Sequence, residues 1–218
     1  MSKNETENCK AIDKRADDLS HAVAALKRGE VILYPTETLY GLGADALNLD
    51  AVEKVFQLKG RDPTNPIPVL IAGREMLKAL VTEVPALAEK LMAKFWPGPL
   101  TLVLAARKDI PSALLNADGG IGVRISSQPI ATELVRALGY PLTATSANPS
   151  GLTPARTVQQ AKNYFAGEIE VFIDAGELIS KSGSTVVGIS ANGVRIIREG
   201  EIGKSELQSA VGESEVVR

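Results

Sequence analysis

The stretch VILYPTETLYGLGADALNLD, residues 31–50, decides how the rest of the chain is read. Inside it GLGADA, residues 41–46, has the G-x-G-x-x-A spacing that binds a dinucleotide pyrophosphate where a strand runs straight into a helix. That fingerprint works because the glycines open the helix and aim its first N–H groups and its dipole at phosphate. Here the apolar strand VILYP stops at Pro35, TETLY intervenes, and the next helix signal comes only near Asp50. The glycines are therefore read as residues that let the backbone turn tightly and pack close. Thr36, Glu37 and Thr38 beside them stand at a strand end, where α/β folds place ligand groups.

Strand and helix signals alternate outward from this stretch. Asp18 is expected to cap a helix with Leu19, Val23 and Leu26 on one face, ended by Gly29. Asp50 and Glu53 form a variant capping box ahead of Val52, Val55 and Phe56, and Gly60 stops that helix. IPVLIA, LTLVLAA, GIGVRI, PLTATSA and VFIDAG read as strands; helices are expected at Met76–Leu80, at Ala86–Phe95, and over IATELVRALG and VQQAKNYFA. STVVGIS and GVRIIREG form a hairpin, with Asn192–Gly193 as its type I′ turn. The polar tail from Lys204 is expected to fray or form one short helix. The sum is an α/β domain with an open, twisted mixed sheet flanked by helices. Its expected limits are a polar leader over 1–15, the domain over 16–202 and a tail over 203–218.

Composition narrows the chemistry. Of the 218 residues 44% are hydrophobic but only 4% aromatic, so the core is aliphatic. A net charge of -2 speaks against attraction of the whole surface to nucleic acid or to an anionic membrane. Cys9 is the single cysteine, which excludes an intrachain disulfide and a CxxC metal site. His21 is the single histidine, so a Ser-His-Asp triad would have to use it. The leader MSKNETENCKAIDKRADD is neither a signal nor a transit peptide, and no apolar run approaches a membrane span. The expected location is the cytoplasm.

Further polar groups remain. LKGRDPTNP holds Lys59 in the last turn of a helix and Arg61 just beyond it; two cations on a stiff loop suit a polyphosphate. TATSANPSGLTPAR, residues 143–156, offers Ser146 and Asn148 among hydroxyls that can cradle phosphate or ribose. Arg124 ends GIGVR, Arg198 ends the last hairpin, and Ser184 sits in the small turn GST. Each has a plainer reading alone: Lys59 offsets a helix dipole, the hydroxyl loop is a turn, and an arginine lies on a surface. Together they suit an anion-rich nucleotide and a small polar molecule. With no histidine base and no cysteine nucleophile among them, catalysis would rest on positioning and charge stabilisation, as in transfers at phosphorus.

YPTETLYGLGADA, KGRDPTNPIPVLI, FWPGPLTLVL, GVRI, TSANPSG, GSTVV and IIREG, in that order, resemble the YrdC/TsaC family, the threonylcarbamoyl-AMP synthases. The resemblance covers residues 16–202 and looks like the family's single-domain form. It implies a YrdC-like fold with a concave ligand pocket. It also implies a cytoplasmic nucleotidyltransferase that uses L-threonine, bicarbonate or CO2, and ATP with Mg2+. The product would be threonylcarbamoyl-adenylate, passed by downstream transfer proteins to the adenosine beside a tRNA anticodon. By the same resemblance Lys59, Arg61, Ser146 and Asn148 would hold the phosphates, and Arg198 the AMP part. Thr36, Thr38, Arg124 and Ser184 would surround threonine, with Lys59 and Arg61 acting catalytically. Two positions depart from the family pattern: Asp62 stands between Arg61 and Pro63, and Leu70 replaces a histidine common in relatives. The competing readings are a module that binds structured RNA, and a carbamoyl-adenylate enzyme accepting a molecule other than threonine.

Overall fold

All of β1 (Ile32–Pro35) is buried, and its alternate side chains serve two different cores. Leu33 joins Tyr40 and Leu42 in the larger core, while Ile32 and Tyr34 turn toward the smaller one. That smaller core is completed by Ala22, Ala25 and Leu26 of α1 (residues 18–27) and by Leu134, Val135 and Leu138 of α5 (Pro129–Leu138). Burial on both faces is why VILYP reads as a continuous apolar run. A computed structural model describes residues 18–180, 182–190 and 193–217 of the chain. The leader with Cys9 lies outside them.

Parallel and antiparallel pairing are mixed, as expected, but the strands form two sheets rather than one. In the smaller sheet β1 pairs antiparallel with β2 (Tyr40–Gly43) and parallel with β8 (Val171–Phe172), and β7 (Thr145–Ser146) pairs with β2. The larger sheet contains β3 (Val69–Leu70), β4 (Leu100–Ala105), β5 (Gly120–Arg124), β6 (Leu142–Thr143), β9 (Thr185–Ser190), β10 (Gly193–Arg198) and β11 (Val216–Val217). Its order is β11-β10-β9-β4-β5-β3-β6.

The motif glycines do not turn the chain. Gly41 and Gly43 lie within β2, opposite Tyr34 and Ile32, and neither has a positive φ. Their missing side chains leave room for the ring of Tyr34, which a Cβ on Gly43 would meet at 2.9 Å. The turn is made by residues 36–39, between paired Pro35 and Tyr40, where Thr36 N donates to Leu39 O at 3.2 Å.

PLTATSA, expected as one strand, breaks at Ala144. β6 pairs with β3 in the larger sheet and β7 with β2 in the smaller. The fully buried Thr143 fixes the break. Its hydroxyl donates to Leu42 O at 3.0 Å and accepts from Ala44 N at 2.9 Å, and its own N–H donates to Ala44 O. Ala144 N then crosses to Pro68 O at 2.7 Å. This seam aims Ser146 between the sheets.

The helix ends also correct two expectations. α2 (Leu49–Lys59) is capped by Asn48, whose side chain accepts from Ala51 N, and not by Asp50. Asp18 already lies within α1. Gly60 ends α2 at φ 54, as expected. α3 (Arg74–Leu80) and α4 (Ala86–Phe95) match the sequence pattern, and α6 (Val158–Tyr164) lies within VQQAKNYFA. The tail folds as α7 (Lys204–Val211), whose Leu207 enters the larger core, and then adds β11 beside β10. In the hairpin Gly193 pairs with Ser190 and begins β10; Asn192 of the expected turn lies outside the described residues. Among the described residues no helix is long and apolar enough to cross a membrane.

Candidate active site

Strands of both sheets line a cavity of about 970 Å³. Thr36 and Thr38 reach it from the β1–β2 loop, Arg61 from beyond α2 and Arg124 from the end of β5. Ser146 reaches it from β7, Ser184 from the turn before β9 and Arg198 from the end of β10. Residues as distant in sequence as Thr36 and Arg198 thus meet in one place, because the seam at Ala144 and the parallel β4–β9 pair bring their strand ends together.

Lys59 and Asn148 are not among the lining residues. Lys59 is 3% exposed, and its Nζ donates to Ser146 O at 2.6 Å and to Asn148 O at 2.7 Å. Asn148 turns inward as well, donating from Nδ2 to Pro149 O and Leu152 O while its Oδ1 accepts from Ser146 Oγ at 2.6 Å. Both residues thus hold the backbone and hydroxyl of Ser146 from behind. Burial, and then the charge of Arg61, lower the Lys59 pKa to about 8.

Arg61 faces the cavity and is braced by its own loop, donating from Nε to Asn65 O at 2.8 Å and from a terminal nitrogen to Pro66 O at 3.0 Å. The departure at Asp62 is local: its carboxylate accepts from the N–H and hydroxyl of Thr64 and is held below its ordinary pKa by those bonds. Leu70, the other departure, is buried in the smaller core. Burial lowers the Arg61 pKa, with the charge of Arg198 adding to it; Arg198 is lowered by burial and then by Arg124. Guanidinium groups that depress one another around a concave wall make a site favourable to anions.

On the opposite wall Arg198 donates to Ser184 O at 2.8 Å and to Ser184 Oγ at 3.3 Å, and Ser184 shares a hydrogen bond with Thr101 Oγ1 at 2.9 Å. Thr36 Oγ1 accepts from Leu39 N and donates to Leu39 O, so it builds its own loop. Thr38 Oγ1 accepts from Arg124 at 3.4 Å. Arg124 also pairs with Glu37 Oε2 at 2.7 Å, and the same oxygen accepts from Ser126 Oγ. Sequence reasoning placed Glu37 with Thr36 and Thr38 among ligand-facing groups at a strand end and did not foresee its pairing with Arg124, and it passed over Ser126 and Arg195. A register shift in β10 between Ile196 and Arg198 spoils simple alternation, which is the signal that would have pointed Arg195 at the cavity. Among the described residues no group of three or more His, Cys, Asp or Glu could hold a metal ion.

Paired mixed sheets with helices outside, and a cavity ringed by arginines and hydroxyls at strand ends, define an α/β protein with a cavity favourable to anions. Residues 24–200 match the family model Sua5/YciO/YrdC, described as "Telomere recombination". The chain belongs to this family. It is 35% identical over 204 residues to the threonylcarbamoyl-AMP synthase of Pyrococcus abyssi, covering 93% of this chain and 60% of that protein. It is 37% identical over 153 residues to the threonylcarbamoyl-AMP synthase of Halorhodospira halophila, covering 70% of this chain and 80% of that one. The crystal structure of P. abyssi Sua5 complexed with L-threonine superposes with a TM-score of 0.87 at 35% identity, over 91% of this chain and 58% of that chain. This chain therefore spans less than two thirds of the P. abyssi protein's length.

Proposed function

We propose that the chain is an L-threonylcarbamoyladenylate synthase. It would join L-threonine, bicarbonate or CO2, and ATP into threonylcarbamoyl-AMP with release of pyrophosphate. The observation that carries this reading is the meeting of Arg61, Ser146 and Arg198 with Arg124, Thr38 and Ser184 in one cavity of about 970 Å³. That volume suits a nucleotide together with an amino acid. The name borne by the relatives supports the same reading, and supports it over a structured-RNA module.

In this mechanism Arg61 and Ser146 bind the triphosphate, and Arg198 contacts the AMP part. Lys59 and Asn148 act through Ser146, which they position. Arg124 receives the threonine carboxylate, with Thr36, Thr38 and Ser184 beside it. The threonine amine captures CO2, loses a proton and becomes a carbamate. A carbamate oxygen then attacks the α-phosphorus in line while the bond to pyrophosphate breaks. Arg61 stabilises the charge that gathers on the leaving group, so positioning and electrostatics supply the rate. Mg2+ would arrive bound to the triphosphate; among the described residues no group of three or more acidic ligands stands ready for a resident ion. We assign residues 16–202, extended by α7 and β11 that join the same core and sheet, as the catalytic domain, the cytoplasm as its location, and tRNA threonylcarbamoyl-transfer proteins as the consumers of its product.

The test incubates the pure chain with ATP, labelled bicarbonate and each amino acid in turn, and identifies any adenylate by mass. Pyrophosphate release should require both L-threonine and bicarbonate. Equal release without threonine, or an adenylate formed only with another amine, overturns the assignment.

A further inference from the structure

Glu37 and Arg124 form the least exposed ion pair among the described residues, with side chains 17% and 6% exposed. The pair is incomplete. Arginine and carboxylate often join by two parallel bonds. Here one guanidinium nitrogen meets Glu37 Oε2 at 2.7 Å, while Glu37 Oε1 and Arg124 Nε are both buried without a partner. Glu37 cannot easily swing to close the fork, because Ser126 Oγ donates to Oε2 and itself accepts from Gln128 N at 3.1 Å. Arg124, by contrast, lines the cavity and reaches only a long bond to Thr38 Oγ1. The guanidinium is thus fixed on one side and keeps hydrogen-bonding capacity on the other.

We propose that Glu37, anchored by Ser126, is a positioning residue that sets Arg124 to select an amino-acid zwitterion over a simple carboxylate. This rests on the reading that Arg124 receives the threonine carboxylate. A bare anion drawn to Arg124 also meets the negative charge of Glu37 on the same guanidinium, which weakens its binding. An α-amino acid brings a positive nitrogen two bonds from its carboxylate carbon. Glu37 lies behind Arg124, outside the cavity lining, so that positive charge offsets its field from within the cavity while the carboxylate answers Arg124. Selectivity then comes from a repulsive element as well as an attractive one. It would keep nucleotide phosphates and common organic acids out of the amino-acid end of a cavity whose other cations attract them.

The experiment titrates the full chain with L-threonine, with 3-hydroxybutyrate (threonine without its amine) and with 1-amino-2-propanol (threonine without its carboxylate), by calorimetry. The wild type should prefer threonine strongly to 3-hydroxybutyrate. Glu37→Gln keeps the shape and removes the charge. It should weaken threonine roughly tenfold, leave 3-hydroxybutyrate unchanged or tighter, and so narrow the preference by tenfold or more. Ser126→Ala keeps the charge but frees the carboxylate; threonine should weaken severalfold while the preference survives. Equal loss for both ligands in Glu37→Gln, or an unchanged preference, overturns the inference. So does a wild type that binds both ligands alike, a result that needs no variant to fold. Absence of any threonine binding by the wild type removes the proposed function first, and this inference with it.

Discussion

Replacing Gly43 by alanine adds one methyl group where the ring of Tyr34 already lies. The new Cβ would stand 2.9 Å from ring atoms Cδ1 and Cε1 and 3.2 Å from Ile32 Cγ1. The ring has little room to retreat: Tyr34 is fully buried, and its Oη donates to Thr143 O at 2.9 Å, inside the seam between the sheets. Overpacking of a tight core costs about 1–3 kcal/mol. If the ring yields and its hydroxyl lets go, the lost hydrogen bond adds about 1 kcal/mol. A loss of about 2–3 kcal/mol is expected, which lowers Tm by about 4–12 °C in a chain of this size. Urea unfolding followed by circular dichroism measures it, and ATP titration of the folded variant completes the test. Because Gly43 serves packing, ATP affinity should stay within about twofold of wild type. A glycine that cradled pyrophosphate would show the reverse, with weakened ATP and stability nearly intact. Pairing Gly43→Ala with Tyr34→Leu should recover about 1 kcal/mol relative to the sum of the single changes, since the smaller side chain vacates the space. A stability loss below about 0.5 kcal/mol, or no coupling to Tyr34, would refute the packing argument.

Thr143→Val keeps the shape of the side chain and deletes its bonds to Leu42 O and Ala44 N; about 2–3 kcal/mol should be lost in the same unfolding assay. Arg61→Ala should slow pyrophosphate release by about 10²–10³ while L-threonine affinity changes less than about twofold, because the residue acts on charge in the transition state; near-native turnover contradicts that role. Lys59 supplies the pH dependence. Its pKa falls on folding from 10.5 to about 8, so below pH 8 both folded and unfolded chains carry the proton and stability is flat in this group. From about 8 to 10.5 the unfolded chain binds more protons, and stability rises with pH by at most about 3 kcal/mol. Lys59→Met should remove that rise when unfolding is compared at pH 7.5 and pH 10; an identical rise in the variant would show that another group causes it.

Elements long enough to show a period were legible. The Val52, Val55 and Phe56 face and the Gly60 stop defined α2, and the doubly buried β4 and β5 read as apolar runs. Two-residue strands such as β3, β6, β7 and β8 show no period at all. The break at Ala144 depends on Thr143 meeting Leu42 and Ala44 about a hundred positions earlier, which no local pattern encodes. Glycine is disfavoured in strands, so Gly41 and Gly43 looked like a turn until the Tyr34 ring explained them. In the site, residue type marked several side chains that the fold gathers at strand ends around one cavity. Direction was not: Ser126 looks like any turn serine until Glu37 is found beside it.

The clearest case of hidden direction is the pair Lys59 and Arg61, two cations separated by one residue. A helix continuing through both would point them about 200° apart around its axis, but nothing would fix what either met. Gly60 in the left-handed region ends the helix between them instead. Lys59 stays in the last turn, where its chain lies along the core and its ammonium reaches the carbonyls of Ser146 and Asn148. The same residue's carbonyl accepts from Ser150 N at 2.7 Å, so this helix end grips the hydroxyl loop at three points. Arg61 begins the DPTNP loop, whose carbonyls at Asn65 and Pro66 brace it beside the cavity. One cation therefore builds the wall that carries Ser146, and the other faces the cavity. Their losses should differ in kind: Arg61→Ala should leave the unfolding midpoint close to wild type while turnover collapses. Lys59→Met should lower stability and turnover together, because Asn148 O, buried at the loop, loses its ammonium donor. Purely kinetic damage from Lys59→Met, with stability intact at neutral pH, would mean that its ammonium leaves the carbonyls to meet the ligand.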